Sequence, residues 1–394
     1  MAEPPDRDRP AARSRWCNIL HVVNDGYLES LTLLLPFIAL DLELSYSESG
    51  LLRTAIEGAM AATQIPAGFL AERLGELLLL GAGTAWYSAS YLSMSAAVGF
   101  ATLFLLLVSA GAGAGVYHPV GTAAVANAYP GADSGTAIGR LNFFGDVGKV
   151  LFPALAGLLV ASIGWRGTFT ALGGLGMAVS VGFLVYFRTH IRERRQRGRT
   201  KDDSGGWGII HRSKFTRYAA IGFLDVAART AVVTFLGFQL LAIGMDEGHL
   251  GWMLSLTFAG GAIGKLLCGM LVVRLGEKAV ILLTELGTVA GCILLPLQEA
   301  NWQLVLFLPV FGFVLNGTSS VIYIGLASTL SASRRSRGYA LYFTTNFFCS
   351  AAAPFLFGLI ADLYDLALLF KVAAITAALG LPLLLLRDSS RPRD

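Results

Sequence analysis

QIPAGFLAERLGE, residues 64–76, closes one apolar run and stands just before another that begins at Leu77. Its core is Gly68-x-Leu70-x-Glu72-Arg73-x-Gly75, and a second copy reads Gly269-x-Leu271-x-Val273-Arg274-x-Gly276. Gly68 and Gly269 lie 201 residues apart, as do Gly75 and Gly276. The same offset carries Pro153 onto Pro354, Gly157 onto Gly358, Gly111 onto Gly312, Gly50 onto Gly251 and Asn24 onto Asp225. A short polar hinge between two oily segments thus occurs once in each half, in a register that does not slip. This is the mark of an internal duplication, and parallel repeats of this size are a transporter design.

Composition says which solvent the halves fold in. Hydrophobic residues make up 55% of the 394 positions and charged residues 14%, against about 25% charged in soluble domains. Uncharged runs such as 77–104 and 96–116 have the length of membrane helices. The expectation is an all-α membrane protein of twelve transmembrane helices in two pseudo-symmetric six-helix bundles. The boundaries are a disordered N-terminus at 1–15, bundles at 16–187 and 215–386, a linker at 188–214 and a tail at 387–394. The helices are placed at about 16–40, 50–70, 77–97, 101–127, 136–160, a sixth ending near Phe187, then about 215–242, 249–271, 279–297, 303–328, 337–360 and 367–386.

Of the 30 Lys and Arg residues, ten fall between Arg188 and Arg217, while the opposite side holds only Arg53, Arg166 and Lys371. This asymmetry orients a multi-pass protein of the inner membrane with both termini cytoplasmic. The charge is not gathered on one face, which argues against nucleic acid. Cys17, Cys268, Cys292 and Cys349 lie in or beside apolar runs without CxxC spacing, and the five histidines form no HxxxH. No metal site, no disulfide and no cofactor is expected. The basic start runs into a charged segment without a small-residue cleavage site, so no cleavable signal is expected.

An ionisable residue in a membrane helix costs about 2.5–3.5 kcal/mol on insertion scales and so faces a cavity or a partner. In helix 1, His21, Asp25 and Glu29 recur every fourth residue and share a stripe, with Asn24 at its edge. The stripe can carry a proton, touch a solute, or serve as a structural network. Asp146 and Lys149 are three apart and Asp225 and Arg229 four apart, spacings that permit same-face ion pairs of either functional or structural kind. Lys265 has no acid at helical spacing and is a candidate for an anionic group; the repeat aligns it with Gln64. Glu57 can reach back towards Arg53 and is a weaker candidate for the pathway. Gly111 and Gly115 form a small-xxx-small pattern for close helix approach. His118, beside Tyr117 and Pro119, either titrates near neutrality or packs at a kink. Pro153 and Pro354 are hinges or packing features.

The hinge resembles motif A of the major facilitator superfamily, G-x-L-a-D-r-x-G-r-k. Gly68, Leu70, Arg73 and Gly75 match; Glu72 stands for the aspartate, and Glu76-Leu77 replaces the basic pair. The resemblance implies the major facilitator fold and a gating role for Glu72 and Arg73, with Gly269, Arg274 and Gly276 as the second copy. Three further motifs are similar to the fosmidomycin-resistance type of that superfamily. They are His21-x-x-Asn24-Asp25, Gly115-Val116-Tyr117-His118-Pro119, and Gly145-Asp146-x-Gly148 followed by Pro153, with Phe152 where the exporter motif has glycine. This resemblance implies export of small organic, often anionic, compounds.

The expected function is secondary active, proton-coupled efflux of a small organic solute by alternating access, by a monomer in the lipid bilayer. No ATP-binding loop of the G-x-x-x-x-G-K-S/T kind occurs. Asp25, Glu29, His118, Asp146 and Asp225 are the candidate proton carriers. His21, Asn24, Glu57, Tyr117, Lys149, Arg229 and Lys265 are the candidate solute contacts. One alternative is an importer or facilitator on the same fold. The other is a membrane-embedded enzyme, which needs a constellation such as HExxH or GxSxG, and neither occurs.

Overall fold

A computed structural model of the chain describes residues 9–129, 133–188, 207–299, 302–331 and 335–386. Its elements are α1 Arg9–Asp41, α2 Tyr46–Leu74, α3 Glu76–Met94, α4 Phe100–Ala114, α5 Tyr117–Ala128, α6 Asp133–Tyr186, α7 Arg212–Ala242, α8 Glu247–Leu275, α9 Glu277–Leu294, α10 Gln303–Ala327, α11 Arg335–Leu363, α12 Leu366–Ala378 and α13 Leu381–Leu385. Among the described residues, eight helical stretches are long and apolar enough to cross a membrane, from Phe100–Ala128 to Leu366–Leu385. α1 is not among them; it carries His21, Asn24, Asp25 and Glu29 in its middle.

The opening motif contracts to one residue in each half. Gly75 (φ 93°) alone separates α2 from α3, and Gly276 (φ 79°) alone separates α8 from α9. A side chain at such a φ meets the following carbonyl, so glycine makes the turn without strain. Gly164 (φ 68°, ψ 175°) breaks α6 into two helices, the expected fifth and sixth. The close approach of small residues is also duplicated. A Cβ on Gly111 would lie 2.3 Å from the Ile56 carbonyl oxygen, and one on Gly312 would lie 1.9 Å from that of Thr257. Ile56 and Thr257 are themselves 201 residues apart.

Some boundaries differ from the hydropathy reading. α1 begins at Arg9, because Ala11 and Ala12 favour a helix that an apolar window does not register. The expected fourth helix is interrupted at Gly115–Val116. Pro119 has no N–H to return to Gly115, and the chain tightens there, Val116 N donating to Gly113 O at 3.3 Å. The expected twelfth helix breaks before Pro382, giving α12 and α13. Of the expected linker, 189–206 lies outside the described residues, as do 1–8 and the tail 387–394.

The chain forms two compact units. Unit 1 is Met1–Leu44 with Ala55–Gly198, and unit 2 is Ser45–Thr54 with Arg199–Asp394. The interior of unit 1 holds Tyr27, Tyr87 and Tyr91, all fully buried, with Tyr27 and Tyr91 stacked at 4.1 Å. Two of the hydroxyls are satisfied within the protein, as an apolar surrounding demands: Tyr27 donates to the Leu172 carbonyl at 2.7 Å, and Tyr91 to the Tyr27 carbonyl. At one end, Asp41 closes α1 by accepting from Arg166 at 2.5 Å and Trp165 Nε1 at 3.2 Å. Unit 2 packs a second core around Phe215, Tyr218, Ile281, Ile322 and Leu326.

Candidate functional site

Three helices of unit 1 converge on one carboxylate, Asp25 of α1. His21 Nε2, one turn earlier, stands 3.4 Å from Asp25 Oδ1, and Asn24 Nδ2 donates to the same oxygen at 3.3 Å. His118 Nε2, from α5, is 3.6 Å away. Lys149 Nζ, from α6, lies 3.2 Å from Asp25 Oδ2 and 3.3 Å from Asp146 Oδ1. Asp25 is 6% exposed and His21 3%, whereas the Lys149 and His118 side chains keep 28% and 36%. The anion is therefore sealed while the lysine and the histidine from α6 and α5 remain partly open.

α6 can come this close because of its glycines. A Cβ on Gly145 would lie 2.7 Å from His21 Nε2 and 2.9 Å from Asp25 Oδ2; one on Gly148 would lie 2.3 Å from the Val22 carbonyl oxygen. The Gly145-Asp146-x-Gly148 motif is thus a docking surface for α1 that also delivers Asp146 and Lys149.

The hydrogen-bond pattern constrains the protons. His21 Nδ1 is 2.8 Å from the Leu141 carbonyl, which can only accept, so Nδ1 carries hydrogen. In a neutral ring Nε2 is then a lone pair facing a carboxylate oxygen, and it is buried without a hydrogen-bond partner. A proton on Nε2 turns that repulsion into an ion pair. The ring also lies against Tyr117 at 4.8 Å and His118 at 5.5 Å, and Tyr117 hydroxyl donates to the Cys17 carbonyl at 2.5 Å. Ligand atoms of His21, Asp25 and His118 fall within 4.8 Å of one another. This grouping could hold a cation, and local spacing could not reveal it because α5 supplies one member. The Lys149 ammonium already neutralises the second oxygen of that carboxylate.

Of the other candidates in unit 1, Glu29 is buried, accepts from Thr32 Oγ1 at 3.2 Å and lies within electrostatic reach of Lys149. Glu57 is buried on α2, one turn beyond the buried Arg53. Glu72 and Arg73 are exposed on the last turn of α2, and Arg274 on that of α8. Gly68 and Gly269 have open space where a Cβ would stand. Glu76, which stands where motif A has a basic residue, begins α3 and accepts from Asn127 at 2.5 Å. Its repeat mate Glu277 begins α9 and accepts from Tyr218 hydroxyl at 2.6 Å. Acids at helix starts offset the macrodipole.

In unit 2, Arg229 Nε is 3.7 Å from Asp225 Oδ2, the same-face pair that the spacing allows. Lys265 is half-buried on α8 and has an interaction partner, so it is not the solitary cation that sequence spacing suggests. Glu285 of α9, 1% exposed, lies within hydrogen-bonding reach of Asp225; sequence reasoning passed over it. A cavity of about 530 Å³ lined by Lys214, Arg217, Tyr218, Gly276 and Glu277 adjoins the hinge of unit 2, away from these carboxyls.

The profile of the family described as Major Facilitator Superfamily matches residues 18–238 and 218–394. The chain is similar to "Probable L-galactonate transporter" of Escherichia coli (strain K12), with 25% identity over 354 residues, 82% of this chain and 76% of that protein. It is also similar to "Fosmidomycin resistance protein" of the same organism, with 23% identity over 381 residues, 94% and 92% of the two chains. A solved bacterial homologue of the human lysosomal transporter Spinster superposes with a TM-score of 0.80 over 98% of this chain and 97% of that one. At 15% identity that likeness establishes the fold alone.

Proposed function

This chain belongs to the Major Facilitator Superfamily, and we propose that it carries a small organic anion across the membrane together with a proton exchanged at Asp25. It is a multi-pass membrane transporter of small solutes, not an enzyme. The observation that carries the finer reading is the sharing of one ammonium, Lys149, between Asp25 and Asp146 at 3.2 and 3.3 Å. An anionic group that takes Lys149 removes the counter-ion of Asp25, and a bare carboxylate in an apolar bundle takes up a proton. Conversely, a proton on Asp25 frees Lys149 for the anion. Each ligand strengthens binding of the other, and this reciprocity is a coupling free energy. Ligands that bind together travel together.

His21 gives the proton a second seat, its Nε2 turned to Asp25 by the Leu141 carbonyl. His118 lines the open side of the pair. Asn24 and Tyr117 position these groups, and Glu29 adds to the field at Lys149. Exposed Glu72, Arg73 and Arg274, with the Gly75 and Gly276 turns, are the gating positions. The basic loops support a reading with both termini in the cytoplasm and the protein in an inner membrane, with the monomer as the working unit. The relative named for L-galactonate supports an anionic cargo. The relative named for fosmidomycin resistance favours a second reading, export by antiport. Antiport requires that cargo and proton exclude one another, as a cationic cargo competing for Asp25 does and an anion at Lys149 does not.

Reconstitution into liposomes with an internal pH indicator separates these readings, with L-galactonate as the anionic probe. Co-transport predicts that inward anion flux acidifies the lumen and quickens when the outside is acid. Proton movement opposite to the anion, or anion flux indifferent to the gradient, overturns the proposal.

A further inference from the structure

The apolar interior of unit 2 holds an acid pair that the account of Asp25 does not use. Asp225 on α7 is 3% exposed and Glu285 on α9 is 1% exposed, and their carboxyl groups are within hydrogen-bonding reach. Two carboxylates offer acceptors only, so a hydrogen bond between them exists only when one is protonated. Around the pair, Thr284 hydroxyl donates to the Val280 carbonyl at 2.9 Å, and Thr318 hydroxyl, from α10, lies 2.8 Å from that of Thr284 and within hydrogen-bonding reach of Glu285, to which it can donate. Glu285 Oε1 is buried with no hydrogen-bond partner.

Charge gives the same count. Arg229, whose Nε lies 3.7 Å from Asp225 Oδ2, also acts on Glu285, and one guanidinium balances one carboxylate. Among the described residues, Tyr342 and Cys349 from α11 and Cys292 on α9 itself also lie within electrostatic reach of this triad, and none of these side chains can carry a positive charge. The duplication does not explain the pair either, because offset by 201 residues its members fall on Asn24 and Thr84.

We propose that Asp225 and Glu285 bind a single shared proton and form a proton-binding site in unit 2, distinct from Asp25, that is loaded and emptied during transport. The proton lies between the two carboxyls, with Arg229 as the standing counter-charge. When it leaves, the triad carries a net negative charge that Arg229 alone does not offset. Only the coupling to transport rests on the proposed function, since the existence of the proton is a property of the triad.

Infrared difference spectroscopy of the full-length protein in liposomes tests the proton directly, without cargo. The wild type is expected to show a protonated carboxyl C=O band that falls as pH is raised. Glu285→Gln and Asp225→Asn should each remove it while Asp25→Asn leaves it in place. A spectrum unchanged by both pair variants, or a wild type with no such band, overturns the site; a thermal melt of each variant confirms that it is folded. Gradient-driven uptake of L-galactonate by Glu285→Gln then tests the coupling. Its rate should lose most of its pH dependence and fall about tenfold, and a wild-type pH profile in this variant would leave the proton merely structural and overturn the role in transport. Failure at Asp25 alone shows as loss of flux in Asp25→Asn being absent while the band behaves as expected, so the two ideas fail separately.

Discussion

Around Asp25 in unit 1 the cation is a lysine shared with a second acid, and two histidines stand beside it; around Asp225 in unit 2 the cation is Arg229, and its neighbour is a second carboxyl. Both arrangements set more acid than fixed base in an apolar bundle, but they place the mobile proton differently. In unit 1 an imidazole nitrogen faces the carboxylate and can take the proton, and the Lys149 and His118 side chains of that cluster keep roughly a third of their surface open. The acid pair of unit 2 has no histidine and is sealed. The 201-residue offset shows how the difference arose in the sequence. His21, Asp25, His118 and Lys149 map onto Gly222, Val226, Ser319 and Ser350, none of them ionisable. The repeat preserves turns, glycine contacts and the hinge charges Arg73/Arg274 and Glu76/Glu277, while the buried charges of the two clusters are private to each half. A symmetric scaffold therefore carries asymmetric chemistry; in the proposals above, the open cluster meets the cargo and exchanges a proton at Asp25, and the closed one holds a second proton.

The hardest blow to that contrast comes from Asp25→Asn. The amide cannot release a proton and is a poor counter-ion for Lys149, so gradient-driven flux should drop by about 100-fold or more, the magnitude of losing a hydrogen-bonded charge pair worth about 3 kcal/mol. Retained flux would remove Asp25 from the mechanism and with it the proposed division of labour. Lys149→Gln should act next, on binding more than on turnover. A charge-assisted hydrogen bond is worth about 1.5–3 kcal/mol, so KM for an anionic solute should rise about 10- to 100-fold while a neutral analogue is little affected. Equal losses for both would make the lysine structural.

How far the sequence discloses this arrangement depends on whether the information is local. The duplication, the hinge glycines and the His21–Asp25 step are fixed by spacing along the chain and can be read there. Lys149 and His118 stand out individually as polar residues in apolar runs, but their meeting at Asp25 depends on α5 and α6 packing onto α1, which no interval encodes. Glu285 shows a different failure. It is an acid in the middle of an oily helix, to which the cost argument that singles out Lys265 applies equally, but its partner lies 60 residues away on α7 and no spacing along α9 points to it. The interruption at Gly115 is hidden for another reason, because hydropathy does not register that Pro119 leaves a carbonyl unpaired.

Gly145→Ala tests the closeness of α6 to α1 at moderate cost. The added methyl would stand 2.7 Å from His21 Nε2, an overpacking worth about 1–3 kcal/mol. A lowered melting temperature should come with a shifted pH profile of transport, since the methyl separates His21 from Asp25. Gly139→Ala, where nothing lies within 4 Å of the new atom, is the control on the same helix, and it should hold or slightly raise stability.

The smallest effect examines what the halves share. Gly75 and Gly276 have φ of 93° and 79° and each joins two helices by a single residue. With ψ of 144° and 157° both are in the positive-φ extended region that is essentially reserved for glycine, so an alanine there is strained by on the order of 1 kcal/mol or more, and the penalty belongs to backbone geometry, not to surroundings. Gly75 is buried and Gly276 exposed, so a difference in cost between the two substitutions measures environment, and equality measures the turn. Gly75→Ala and Gly276→Ala should therefore lower the melting temperature by similar small amounts, with the double variant close to their sum, as independent sites behave. A cost confined to Gly75 would mean that packing at that end of α2 dominates and that the second copy of the hinge is a relic of the sequence with no conformational demand of its own.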